Sequence, residues 1–158
     1  MEYPGVAVGV VITHPTENGI LLGKRIGLLG NGQYAIPGGK VDFGEIPFAT
    51  VIREIKEETN LDLRNIYFTG KITNDYFPEP GKHYITLYYI AEAINPSELK
   101  LSEAERKKVE SWDWYEPEKL PKPMWMHTGM LIDSMVEFDK NRGLTKWIFK
   151  TPDIDGVS

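Results

Sequence analysis

The chain contains no cysteine. That excludes disulfides, thiolate metal sites and a cysteine nucleophile, and it leaves the cellular compartment open. There is no basic excess either: 18 Lys and Arg stand against 23 Asp and Glu, a net charge of −5. Nucleic-acid binders usually carry a basic patch or stripe, so no nucleic-acid partner is expected. A small phosphorylated ligand stays open, because a bound cation supplies positive charge locally. Long apolar runs are missing as well. The opening stretch MEYPGVAVGVVITHPTENG is apolar for only a few residues and has no basic leading region. It reads as neither signal peptide nor membrane span, so a cytoplasmic protein with no membrane partner is expected. Internal repeats, low-complexity tracts and domain-splitting linkers are also absent.

What remains is ordinary globular composition, 41% apolar and 26% charged over 158 residues. The length fits one domain over 1–158, with a frayed polar tail from 151 to 158. Val6 to Thr13 is a β-branched run and reads as a buried strand. Asn18-Gly19 signals a tight turn into a second strand at 20–25. Residues 26–32 read as a loop, 33–36 as a short strand stopped by Pro37, and 66–77 and 83–94 as a long antiparallel pair. A polar stretch follows, with one helical turn at 102–107, then a strand at 111–115 in which Trp112 and Trp114 alternate, at least one of them core. Apolar residues at 131, 132, 135, 136 and 138 predict a second helix over 128–140, closed near Gly143.

The most informative stretch is GGKVDFGEIPFATVIREIKEETNL, Gly38 to Leu61. Gly38-Gly39 admits positive φ and close approach to a ligand. Pro47 suits a helix first turn, and Asn60 suits a left-handed C-terminal residue, which predicts a helix over 47–59. Phe48, Ile52 and Ile55 recur at helical spacing as an expected core stripe. Glu54, Glu57 and Glu58 fall together on another side, where like charges repel by roughly a few tenths of a kcal/mol per pair. A hard divalent cation reverses that cost: Mg²⁺ takes oxygen ligands, including one or two carboxylates. A carboxylate not used as a ligand can take a proton from a metal-activated water. Arg53 lies off that line and is placed to pin Glu45 in a bidentate contact. Taken alone, the carboxylate triplet reads rather as a solvated acidic helix face; the GGK loop, the buried strand before it and Glu45 at a fixed offset decide for chemistry.

The segment resembles the signature of the Nudix hydrolases. Gly39, Glu45, Arg53, Glu54, Ile55, Glu57, Glu58 and Leu61 match eight of nine specified positions over 23 residues. The departure is Asn60, where the family has glycine. Pro4-Gly5-Val6, Leu21 to Arg25, Pro37 to Gly39, Phe43 to Glu45, Glu110 to Trp114 and Leu120-Pro121 look like MutT-type nucleoside triphosphate diphosphatases. The branch acting on dGTP and thiopurine nucleotides looks nearest. The resemblance implies an α/β fold, an α/β/α sandwich around a central mixed sheet, with Mg²⁺ as cofactor and Mn²⁺ as a substitute. It implies Glu54, Glu57, Glu58 and the Gly38 carbonyl as metal ligands, with Glu54 or Glu57 as base. Relatives have a further glutamate where this chain has Lys107, which leaves Glu105 or Glu110 to stand in.

The resemblance also places substrate contacts. Arg25 reaches the substrate or is a surface cation; Lys40 meets a phosphate or faces solvent. Thr86 lines the base pocket or is simply a strand threonine. Trp125, Met126, His127 and Thr128 fall where the family stacks and reads its base; Trp125 would stack on a base or pack under the last helix. Enzymes selective for oxidised purines carry paired aspartates where His127 and Thr128 stand here, which argues against that selectivity. The expected activity is hydrolysis of a nucleoside triphosphate to monophosphate and pyrophosphate, with a small-molecule nucleotide as partner and a homodimer admitted. A nucleoside diphosphate conjugate such as ADP-ribose or a nucleotide sugar is the alternative substrate, and the compact length favours the triphosphate. A catalytically silent nucleotide-binding module is the reading of another class.

Overall fold

The computed structural model describes residues 2–133, 135–138 and 147–149. Seven strands form one mixed sheet: β1 (Gly5–Thr13), β2 (Ile20–Arg25), β3 (Tyr34–Ala35), β4 (Gly38–Lys40), β5 (Leu63–Phe77), β6 (Lys82–Ala93) and β7 (Val109–Tyr115). The main path runs β3-β2-β1-β6-β5, with β4 added to β1 and β7 to β2. β1 pairs parallel with β6 over the whole length of β1, from Gly5 opposite Tyr84 to Thr13 opposite Glu92. The remaining pairs among these seven are antiparallel.

Two helices cover the sheet, α1 (Pro47–Thr59) and α2 (Met126–Asp133). The alternation of side chains along β1 sorts the core. Val8, Val10 and Ile12 pack with Val51 and Ile55 of α1, while Val11 packs with Ile20, Leu22, Leu131 and Ile132 on the α2 side. Burial on both faces explains why β1 reads as a continuous β-branched run. The result is an α/β/α sandwich.

Several expectations change. The core stripe of α1 is Val51, Ile55, Glu58 and Thr59, with Thr50 also buried; Phe48 and Ile52 remain 45% and 48% exposed. The sheet meets the helix about one residue round from the expected side. Asn18 and Gly19 do not make a two-residue turn: β1 and β2 are joined through residues 14–19, and neither residue takes positive φ. Gly38 and Gly39 lie in a strand, not in a left-handed turn. Asn60 does take the left-handed conformation, φ 63°, and its N–H closes the helix on the Lys56 carbonyl at 3.0 Å. The second helix begins at Met126 and stops at Asp133, and Met135–Phe138 is a strand, β8, paired with β9 (Trp147–Phe149). Gly143 and the tail from 151 lie outside the described residues. Among the described residues no helix is long and apolar enough to cross a membrane.

Candidate active site

A cleft of about 720 Å³ opens over β1, β4 and β6. One end is acidic. α1 runs behind β4 and directs Glu54 and Glu58 past the two glycines into the cleft, where Glu105 meets them from the loop before β7. The glycines are needed for close approach. A Cβ on Gly39 would lie 2.1 Å from the Glu54 carboxyl carbon, and one on Gly38 would lie 2.1 Å from the Val8 carbonyl oxygen.

Glu58 is only 8% exposed. Its Oε2 accepts the Gly38 N–H at 3.2 Å, and its backbone carbonyl accepts the Trp112 indole N–H at 3.1 Å. Burial first, then the charges of Glu105 and Glu54, push its carboxyl up to about 8. Burial also raises Glu54, against the pull of Arg53. Glu54 and Glu105 thus both bear on the buried Glu58 at this end of the cleft.

Arg53 is the hub beside this cluster. Nε and Nη2 donate to Glu45 Oε2 and Oε1 at 2.8 and 2.9 Å, Nη2 also to the Lys40 carbonyl at 3.0 Å, and Nη1 to Glu54 Oε1 at 2.9 Å. The guanidinium, helped by the Thr50 hydroxyl, holds the Glu45 carboxyl down at about 2. Loop, β4 and α1 are thereby tied at one point. Glu57 stands apart. It is exposed, does not line the cleft, and meets Arg53 only at 3.4 Å.

The rest of the lining is cationic and aromatic. Arg25, Lys40, Lys82, Lys108, Thr86, Trp125 and Thr128 all line the cleft. The Arg25 guanidinium lies 4.2 Å from the Trp125 ring centroid and donates through Nε to the Leu29 carbonyl at 3.1 Å. Burial lowers its pKa while Glu58 opposes the shift. Phe77 stacks on Trp125 at 6.1 Å, so that indole is already engaged. Lys40 lies 5.3 Å from the Tyr84 ring centroid. Met126 is exposed and His127 does not line the cleft, but His127 Nε2 bonds the Oδ1 of Asp75, which does. Asp75 escaped the sequence because an acid in an alternating strand carries no local sign of its partners. Of the two stand-in glutamates, Glu105 is buried in the cleft and 3.6 Å from Lys108 Nζ, whereas Glu110 is exposed and pairs with Lys24 at 3.5 Å.

Among the described residues no three acidic or histidine side chains yet stand in ligating positions for a metal ion. The donor chemistry nevertheless fits a hard divalent cation. Every group is an oxygen donor, and the mutual repulsion of Glu54, Glu58 and Glu105 is what a cation would relieve.

The NUDIX domain model matches residues 3–134. The chain is 35% identical to an ADP-ribose pyrophosphatase of Methanocaldococcus jannaschii over 133 residues, 84% of this chain and 74% of that protein. It is 28% identical to the NAD-capped RNA hydrolase NudC of Photorhabdus laumondii over 119 residues; that alignment spans 75% of this chain and 42% of NudC. Among solved structures, a MutT NUDIX hydrolase from Burkholderia pseudomallei superposes with a TM-score of 0.73 at 28% identity, covering 84% of this chain and 98% of that one.

Proposed function

The chain belongs to the NUDIX domain family, and from that premise we propose that it is a divalent-metal-dependent hydrolase of a nucleoside diphosphate joined to a second group, ADP-ribose being the first candidate. The observation that carries this reading is the likeness to the ADP-ribose pyrophosphatase, which extends over most of both chains. That extent also removes the argument from length, since a chain of this size aligns with an enzyme of the conjugate class. The finer likeness to the dGTP and thiopurine branch finds no support among the relatives named above.

Glu54, Glu57, Glu58 and the Gly38 carbonyl would hold Mg²⁺, with Mn²⁺ as a substitute, and Glu105 takes the place of the further glutamate that Lys107 replaces. The bound ion supplies Lewis-acid polarisation and a more acidic water. The chain's own groups do the rest. Glu54 or Glu57 accepts the proton of the attacking water. Arg53 and Glu45 fix the loop and helix that carry those carboxylates. Arg25, Lys40 and Lys108 line the cleft where phosphate oxygens need neutralising.

The second reading, a nucleoside triphosphate cleaved to monophosphate and pyrophosphate, is favoured by the superposition on the MutT NUDIX hydrolase. Purified protein with Mg²⁺, given ADP-ribose and the common triphosphates in parallel, separates the two by product. AMP with ribose 5-phosphate supports the conjugate reading. Pyrophosphate from triphosphates alone supports the second. Nucleotide binding with no product from any substrate identifies a silent binding module.

A further inference from the structure

Among the described residues, Asp75 is the one carboxylate that lines the cleft away from the Glu54, Glu58 and Glu105 cluster. It stands on β5, with β6 and β1 between it and β4. At about 4.8 Å per strand, it is roughly 14 Å or more from the glycine pair that borders the acidic end. A phosphate held at those glycines does not touch it, and a carboxylate repels phosphate in any case.

Its orientation is fixed from two sides. His127 Nε2 bonds Oδ1 from the start of α2, and the Thr73 hydroxyl donates to Oδ2 at 2.9 Å. Thr73 is itself 3.0 Å from the buried Tyr88 hydroxyl. A carboxylate is an acceptor-only group with about four lone-pair sites, so these two bonds leave acceptor capacity on each oxygen. The side chain is 11% exposed and still lines the cleft, beside Phe77 and Trp125. An oriented acceptor next to aromatic rings, far from the phosphates, demands a flat ligand edge that donates.

We propose that Asp75, positioned by His127 and Thr73, selects the base by accepting a hydrogen bond from an exocyclic amine of a purine nucleotide. This rests on the reading of the cleft as a nucleotide site and adds the group that chooses the base. The amine has two sources, the 6-amine of adenine and the 2-amine of guanine. A site built to pair with a donor rejects the analogue lacking it, because the buried acceptor is then left without a partner.

The test is calorimetric binding in Mg²⁺ buffer of two matched pairs. ADP is compared with purine riboside 5′-diphosphate, and GDP with IDP; each pair differs by one amine. The expected result is that one amine-bearing member binds about tenfold or more tightly than its partner, and the pair concerned names the base. Asp75→Ala should narrow that ratio to within about threefold. If that variant does not fold, as judged by thermal melting, Asp75→Leu, similar in size but with no acceptor, carries the test with the same expectation. Equal binding within both pairs, no binding of any, or a ratio that survives both substitutions overturns the proposal. Binding of diphosphates needs no turnover. Amine-dependent binding without hydrolysis of any nucleoside conjugate or triphosphate therefore overturns the hydrolytic reading alone, and hydrolysis without amine dependence overturns this one alone.

Discussion

Arg53 and Glu45, eight positions apart, are joined by two parallel bonds at 2.8 and 2.9 Å that tie the helix to the loop before it. The planar guanidinium fork matches the carboxylate, and its third nitrogen reaches Glu54. Lysine keeps the charge but not the fork. Arg53→Lys should therefore leave the fold intact and lower kcat roughly tenfold to a hundredfold, as expected for misplaced catalytic groups. Steady-state kinetics in saturating Mg²⁺ would check this, and unchanged turnover would remove Arg53 from the machinery.

The two glycines before this loop separate site geometry from stability. Gly39→Ala drives its methyl into the end of the Glu54 side chain, which can swing away. The expected outcome is a nearly normal melting temperature with strongly reduced activity. Gly38→Ala meets the Val8 backbone instead, which cannot yield without moving β1. That variant should melt well below wild type. Circular dichroism melts beside activity assays would distinguish the two, and equal destabilisation of both would contradict the geometry.

Ile52 and Ile55 make a second contrast on one helix. Ile55 is fully buried and Ile52 is 48% exposed. Ile55→Ala should cost about 2–4 kcal/mol, through lost transfer energy and the cavity left behind. Ile52→Ser should stay within about 0.5 kcal/mol. Urea denaturation of both variants decides it, and comparable losses would restore the stripe that the sequence suggests.

Glu57 is the signature carboxylate that the cleft does not gather, held only by a 3.4 Å contact with Arg53. So loose a hold leaves it available to a cation. Glu57→Gln is expected to lower kcat by about 100-fold or more, as for loss of a ligand or base. Wild-type turnover in that variant would confine the metal site to Glu54, Glu58 and Glu105.

The legible features were those set by local spacing. The helix over 47–59, the left-handed Asn60 and the contact of Arg53 with Glu45 all follow from short-range geometry. What stayed hidden depends on chain far away. β4 exists only because Gly38 to Lys40 pairs with Ala7 to Gly9 of β1. The side of α1 that is buried is chosen by the sheet beneath it, not by the apolar positions alone. Glu105 enters the site through a loop whose path no spacing reveals, and Asp75 finds His127 from 52 residues away. The apolar residues from 131 to 138 suit a helix, yet the backbone changes to strand at Met135 because it pairs with β9.

The crowding of Glu54, Glu58 and Glu105 makes metal binding a stability measurement as well as an activity one. In the metal-free protein these groups repel one another where burial already disfavours charge. A cation that binds only the folded chain stabilises it by mass action, about 2.7 kcal/mol at a hundred times its dissociation constant. Melting temperature should therefore rise with Mg²⁺ and fall back on chelation. Glu58→Gln separates the causes. It removes a buried carboxyl that, near neutral pH, folding must either protonate or leave charged, so its metal-free form should melt at or above metal-free wild type, while its gain from Mg²⁺ should shrink markedly. A variant that loses stability without metal, yet keeps the full Mg²⁺ increment, would show that Glu58 serves the core and that the cation is held elsewhere.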